Sequence, residues 1–108
     1  MTKNIFPPSI SMCAITLESL GINEVAFLEE HVFNAINWCK KNGKTILGGD
    51  VYKISSLGVE ALDDSWYFEP ENVTSDYDNS CRMAVEYISK YIKRNSGQYA
   101  FSLVIKKD

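Results

Sequence analysis

Asp50 stands directly after Gly48-Gly49, at the end of an apolar run. An acid beside conformationally free glycines can cap a turn, face a partner, or act as a base together with Tyr52 or with His31, the single histidine. The same run could cradle a phosphate. It lacks the Lys-Ser/Thr of a P-loop and the third glycine of a dinucleotide fingerprint, however, and no helix start follows it. His31 and Cys39 are two helical turns apart, roughly 12 Å, too far for a single proton transfer. Cys13, Cys39 and Cys81 are odd in number and widely spaced. That fits neither a disulfide framework nor a zinc site and predicts reduced thiols. Asp76-Tyr77-Asp78-Asn79-Ser80 begins like a calcium loop, but Cys81 stands where glycine is required and Tyr87 where glutamate is required. No cofactor or metal is expected from these patterns. Asp63/Asp64 and Glu69/Glu71 are paired carboxylates, yet glycosidase-type chemistry needs such a pair in a cleft, and these acids lie in a segment that reads as surface.

That segment carries the strongest functional signal. Between Ile54 and Cys81 stand seven acids, Glu60, Asp63, Asp64, Glu69, Glu71, Asp76 and Asp78, with no Lys, Arg or His. Trp66-Tyr67-Phe68 sit in the middle. All eleven Lys and Arg lie elsewhere, with the other seven acids, so the rest of the chain is net +4 and the formal charge of −3 hides a dipolar molecule. A concentrated negative field steers a basic partner, and Trp66 and Tyr67 supply anchors for it. Nucleic acid requires a surface of the opposite sign. A charge run is more often a solvated face; the absence of compensating bases and the aromatic pair favour an interface here.

These residues must be positioned by a small domain. With 108 residues, 45% apolar and 23% charged, the chain is expected to form one domain over residues 1–108 with its own core. Met1 to Pro8 does not read as a signal peptide, and no apolar run is long enough to cross a bilayer, which points to the cytoplasm. Ser9 or Ser11 is expected to cap a short helix ending near Leu20, with Gly21 as its stop. A short strand follows at Glu24 to Phe27. Leu28 to Asn42 has helical apolar spacing at Leu28, Val32, Ala35, Ile36 and Cys39, with acids at its start and lysines at its end. Lys44 to Ile54 reads as a strand interrupted by Gly48-Gly49, which marks a bulge, a sharp twist or a close backbone approach. Ser65 to Glu69 is the next strand; Trp66 and Tyr67 should point to opposite faces of it. Ser75 to about Asn95 is a second amphipathic helix, and Tyr99 to Ile105 a last, central strand. The expected fold is α+β: a short N-terminal helix, then β-α-β-β-α-β, an antiparallel-rich sheet with two helices on one face.

Thr45-Ile46-Leu47-Gly48-Gly49-Asp50-Val51-Tyr52 resembles the signature of the bacterial Immunity protein 40 family, where it follows an amphipathic helix and precedes a Trp-Tyr strand. The resemblance extends upstream to Ser19–Phe27 and downstream to Ala84–Ile88, covering about Leu17 to Tyr91 but not Asn72 to Asn79 or the last strand. The run containing Gly48, Gly49, Val51 and Tyr52 is its specific part. It implies a cytoplasmic, non-enzymatic antidote to a toxin of a polymorphic secretion system, including contact-dependent inhibition. Many such toxins are nucleases with basic grooves, which the acidic segment would suit. The expected toxin-binding residues are Asp50, Asp63, Asp64, Trp66, Tyr67, Glu69, Glu71, Asp76 and Asp78, with Gly48 and Gly49 assigned to shape. Two rivals remain: an adaptor for another basic protein, and a small enzyme using Asp50. Oligomeric state is left open.

Overall fold

The computed structural model describes residues 5–107, so the expectation for Met1–Asn4 falls outside the described residues. Pro8–Ser11 forms α1, Ala14–Thr16 β1, Val25–Leu28 β2, Glu29–Lys41 α2, Ile46–Ser55 β3, Gly58–Tyr67 β4, Asp76–Arg94 α3, Gln98–Ser102 β5 and Val104–Ile105 β6; a 3-10 turn spans Glu18–Leu20. The strands form one sheet in the order β1-β2-β5-β3-β4, every neighbouring pair antiparallel, with β6 also paired to β3. Both β-α-β units are split. β5 lies between β2 and β3, and β3 lies between β4 and β5.

α2 and α3 form where apolar residues recur at helical spacing, and each matches its dipole. Glu29 and Glu30 open α2 and Lys40 and Lys41 close it; Asp76 and Asp78 open α3 and Lys93 and Arg94 close it. Val32, Ala35, Ile36 and Cys39 from α2 and Cys81, Ala84 and Ile88 from α3 pack on one face of the sheet, against Phe27, Ile46, Val51, Trp66, Tyr99 and Phe101. A smaller cluster on the opposite face joins Leu17, Ala26, Tyr52 and Ala100, with Leu20 and Ile22 of the 3-10 region packed over it. The helices thus cover most of one face, leaving Lys53 and Glu60 exposed at its end, and the chain between Leu17 and Ile22 covers only part of the other.

Three expectations change. The helix expected to reach Leu20 ends at Ser11, and Ala14–Thr16 instead pairs with Val25–Phe27. Ile15 and Thr16 are β-branched and favour that pairing. Gly21 does stop the turn before it, at φ 73°. The strand expected at Ser65–Glu69 is ten residues long and ends at Tyr67. The last strand breaks at Leu103 into β5 and β6. The four expected strands are therefore six among the described residues.

Candidate functional site

The β3–β4 pair is organised around the two glycines. Gly48 lies opposite Tyr67 and Gly49 opposite Trp66. A Cβ on Gly49 would collide with the carbonyl oxygen of Ser102 and with the six-membered ring of Trp66. On Gly48, whose φ is 152°, it would meet the carbonyl oxygen of Trp66. The absence of both side chains lets the backbones close and leaves a floor for the indole. Trp66 is 9% exposed and stacks on Tyr87 at 5.0 Å between ring centroids; Tyr87 continues to Tyr91 at 6.1 Å. Trp66 therefore belongs to the core, although its indole N–H has no hydrogen-bond partner among the described residues. Tyr67, one residue on, is 65% exposed on the opposite face.

Between Asp50 and Tyr52 the register slips. Asp50 pairs with Ser65 and Tyr52 with Ala61, so Leu62, Asp63 and Asp64 stand opposite Val51 alone. This bulge inserts two residues and preserves the alternation. Leu62 and Trp66 reach the helix-side core, and Asp63, Ser65 and Tyr67 alternate to the other face, which Asp50 shares. All four of these are exposed. Asp64 leans toward α3, where its Oδ2 accepts a hydrogen bond from the Tyr91 hydroxyl at 2.6 Å. Burial, then this bond and the charge of Asp64, hold the Tyr91 phenol well above its ordinary range; burial and Asp64 raise Tyr87 as well.

Asp50 donates its backbone N–H to Oγ of the buried Ser102 at 2.9 Å. Tyr52 is buried beside it, its phenol pushed up by burial and then by the charges of Asp50 and Glu24, against a hydrogen bond with Ser102. Val51 is likewise buried core. Asp50 lines neither of two clefts, one of about 570 Å³ beside Phe6, Val25 and Leu103, the other of about 340 Å³ between α2 and α3 over Ile36 and Cys81. His31 sits on α2 beside Glu30, across the sheet from Asp50.

The other acids divide by surroundings. Asp76 is 4% exposed, and its carboxylate accepts the backbone N–H groups of Glu71, Asn72 and Val73 at 3.2, 2.9 and 3.4 Å, fixing the loop before α3 rather than capping the helix. Asp78 pairs with Lys40 at 3.5 Å and Arg82 at 2.9 Å, so the fold brings bases to an acidic segment that has none of its own. Glu60 lies opposite Lys53. Glu69 and Glu71 are exposed beyond β4. The structure thus gathers Asp50, Asp63 and Tyr67 on one open face with Asp64 at its edge, and ties Asp76 and Asp78 to their own chain. Sequence reasoning missed Ser65 and Tyr91. Strict alternation through Trp66 would have placed Ser65 beside Tyr67, whereas no local signal joins Tyr91 to Asp64.

Among the described residues no group of three or more His, Cys, Asp or Glu is placed to hold a metal ion, and no helix is long and apolar enough to cross a membrane. Around Asp50 the arrangement offers an exposed carboxylate and aromatic surface; of the acids, Asp78 lines the smaller cleft and Glu24 the larger. No curated protein matches the chain. The family model described as Immunity protein 40 matches residues 16–105, including the stretch Asn72–Asn79 and the last strands, which the resemblance read from the sequence does not reach. With the glycine-floored tryptophan, the helices that flank it and nearly the whole sheet inside that match, the chain belongs to the Immunity protein 40 family.

Proposed function

We propose that this chain neutralises a cognate bacterial toxin domain by covering it with the open β3–β4 face. Family membership suggests an immunity protein, one that binds a toxin rather than catalyses a reaction. The observation that carries the surface assignment is the grouping of Asp50, Asp63 and Tyr67 on a face the helices leave uncovered, with Asp64, Glu69 and Glu71 around it. Tyr67 serves as the aromatic anchor, and the acids steer and pair with toxin Lys or Arg. Such a surface suits a nuclease, whose basic groove it would occupy in place of the phosphate backbone. Trp66 acts through packing, and Asp76 and Asp78 through the loop and helix they hold. The setting is the cytoplasm of the bacterium that carries the toxin gene.

The direct test is co-expression with the toxin domain encoded immediately upstream of this gene. Restored growth and a complex that co-purifies are expected. Growth arrest despite good expression of this chain would reject the reading in favour of an adaptor for some other basic protein.

A further inference from the structure

β4 is the outer strand of the sheet and ten residues long, whereas β1, at the other edge, has three. Its outward-facing backbone groups follow from hydrogen bonds already in place. Phe68 donates its N–H to the carbonyl of Leu47 at 2.8 Å. Bonded and non-bonded pairs alternate along an antiparallel ladder. Trp66 with Gly49 is therefore a bonded pair, and Tyr67 with Gly48 and Ser65 with Asp50 are not. The N–H of Asp50 supports the same phase, since it turns to Ser102 on β5 and away from β4. The N–H and C=O groups of Ser65 and Tyr67 consequently point off the free edge.

An open edge invites any strand, including a second copy of this chain, and proteins protect edges with charge and bulges. Here the protection has one sign. Asp63 and Asp64 project from the bulge to the two faces of the sheet, and neither has an ion-pair partner among the described residues. A second β4 would bring acids against acids. A strand bearing Lys or Arg would find carboxylates on both faces and the exposed ring of Tyr67 for its aliphatic stems or a cation–π contact. We infer that the free edge of β4 receives an extended, Lys- or Arg-bearing segment of the toxin as an added strand, paired to the backbone of Ser65 and Tyr67. This rests on the immunity reading above and specifies how the partner docks.

The test uses the full chain and the upstream-encoded toxin domain, with binding measured first and amide hydrogen exchange second. The expected result is a complex in which exchange at Ser65 and Tyr67 slows by about tenfold or more, the scale of one added hydrogen bond. Ser65→Pro removes an outward N–H and no ladder bond. It should fold and bind about tenfold more weakly. A complex that leaves those two amides unchanged overturns the edge inference and leaves the immunity reading standing. Absence of any complex overturns both. Should Ser65→Pro fail to fold, the exchange measurement on the parent chain still decides. Dimerisation of the chain alone with protection of the same amides would make a second copy the occupant and reject a basic strand.

Discussion

At Gly49 the fold has no room for even a methyl group, because the collision is with a backbone carbonyl as well as with the Trp66 ring. Gly49→Ala is expected to cost about 3 kcal/mol, at the upper end for overpacking. Gly43→Ala, at φ 63° with open space around it, should cost only about 1 kcal/mol from backbone strain. Urea titrations of both variants check the order; equal losses would show that the glycine pair is not a packing floor. Titratable residues give a second expectation. Burial raises Cys39, to about 12 from its ordinary 9.0, and also Cys81, Tyr52, Tyr87 and Tyr91. Each is neutral when protonated, so the folded chain keeps these protons to higher pH than the unfolded chain. Their stabilisation is complete below the ordinary values and is lost as pH rises past 9.0 for the thiols and 10.0 for the phenols. Thermal melts should therefore fall steeply above pH 10, and Tyr91→Phe, which cannot ionise, should flatten that fall. An unchanged slope would mean that Asp64 and burial do not hold the Tyr91 proton.

At the scale of elements, legibility followed period and exposure. α2 and α3 could be read because their buried residues keep one helical stripe and their ends carry charges of the right sign. The first half of β4 could not be read. Val59 packs on the partly covered face, and Leu62 and Trp66 on the helix side. With only a few buried positions, acids at Glu60, Asp63 and Asp64 and a two-residue bulge, the strand loses the apolar alternation that announces it. The same bulge hid the site, since Asp63 and Asp64 are neighbours in sequence and face opposite ways. β1 escaped because three residues carry too little pattern. Gly48-Gly49 was legible as a close approach, but the choice between Trp66 and Tyr67 for the core rests on pairing with β3 and was not. Parity makes the bulge testable. Deleting Asp63 and Asp64 together keeps every later residue on its face and sets Leu62 opposite Val51. Deleting Asp63 alone leaves two residues opposite Val51, an odd count that a one-residue bulge must absorb if Trp66 is to stay on Gly49. The double deletion should keep cooperative unfolding and blue-shifted tryptophan emission, and the single deletion should keep the emission but unfold at lower urea. A red-shifted emission in the single deletion would show that β4 register is not set by the Trp66–Gly49 pair.

Over the whole molecule, charge and shape are divided between two faces. The helices lie on one side with charges of both signs, Glu29 and Glu30 against Lys40 and Lys41 on α2 and Asp76 and Asp78 against Lys93 and Arg94 on α3. The opposite face carries Asp50, Asp63 and Tyr67, with Asp64 at the edge they share. Under the proposed function, a basic toxin domain would be steered to this acidic face before any contact forms, since exposed charges act mainly on the approach. Reversing Asp63 and Asp64 to lysine moves the formal charge from −3 to +1 and removes the acids flanking the free edge. Association with the toxin domain should slow by about tenfold at low salt, and the difference should shrink as the Debye length falls to roughly 3 Å near 1 M salt. Tyr67→Ala should leave the association rate in place and accelerate dissociation at every salt concentration, because an anchor acts after encounter. Stopped-flow mixing across a salt series separates the two effects. Parent-like association by the reversed variant at low salt would remove the acids from the recognition mechanism, and a salt-dependent loss in Tyr67→Ala would show that the anchor and the steering charges act as one unit.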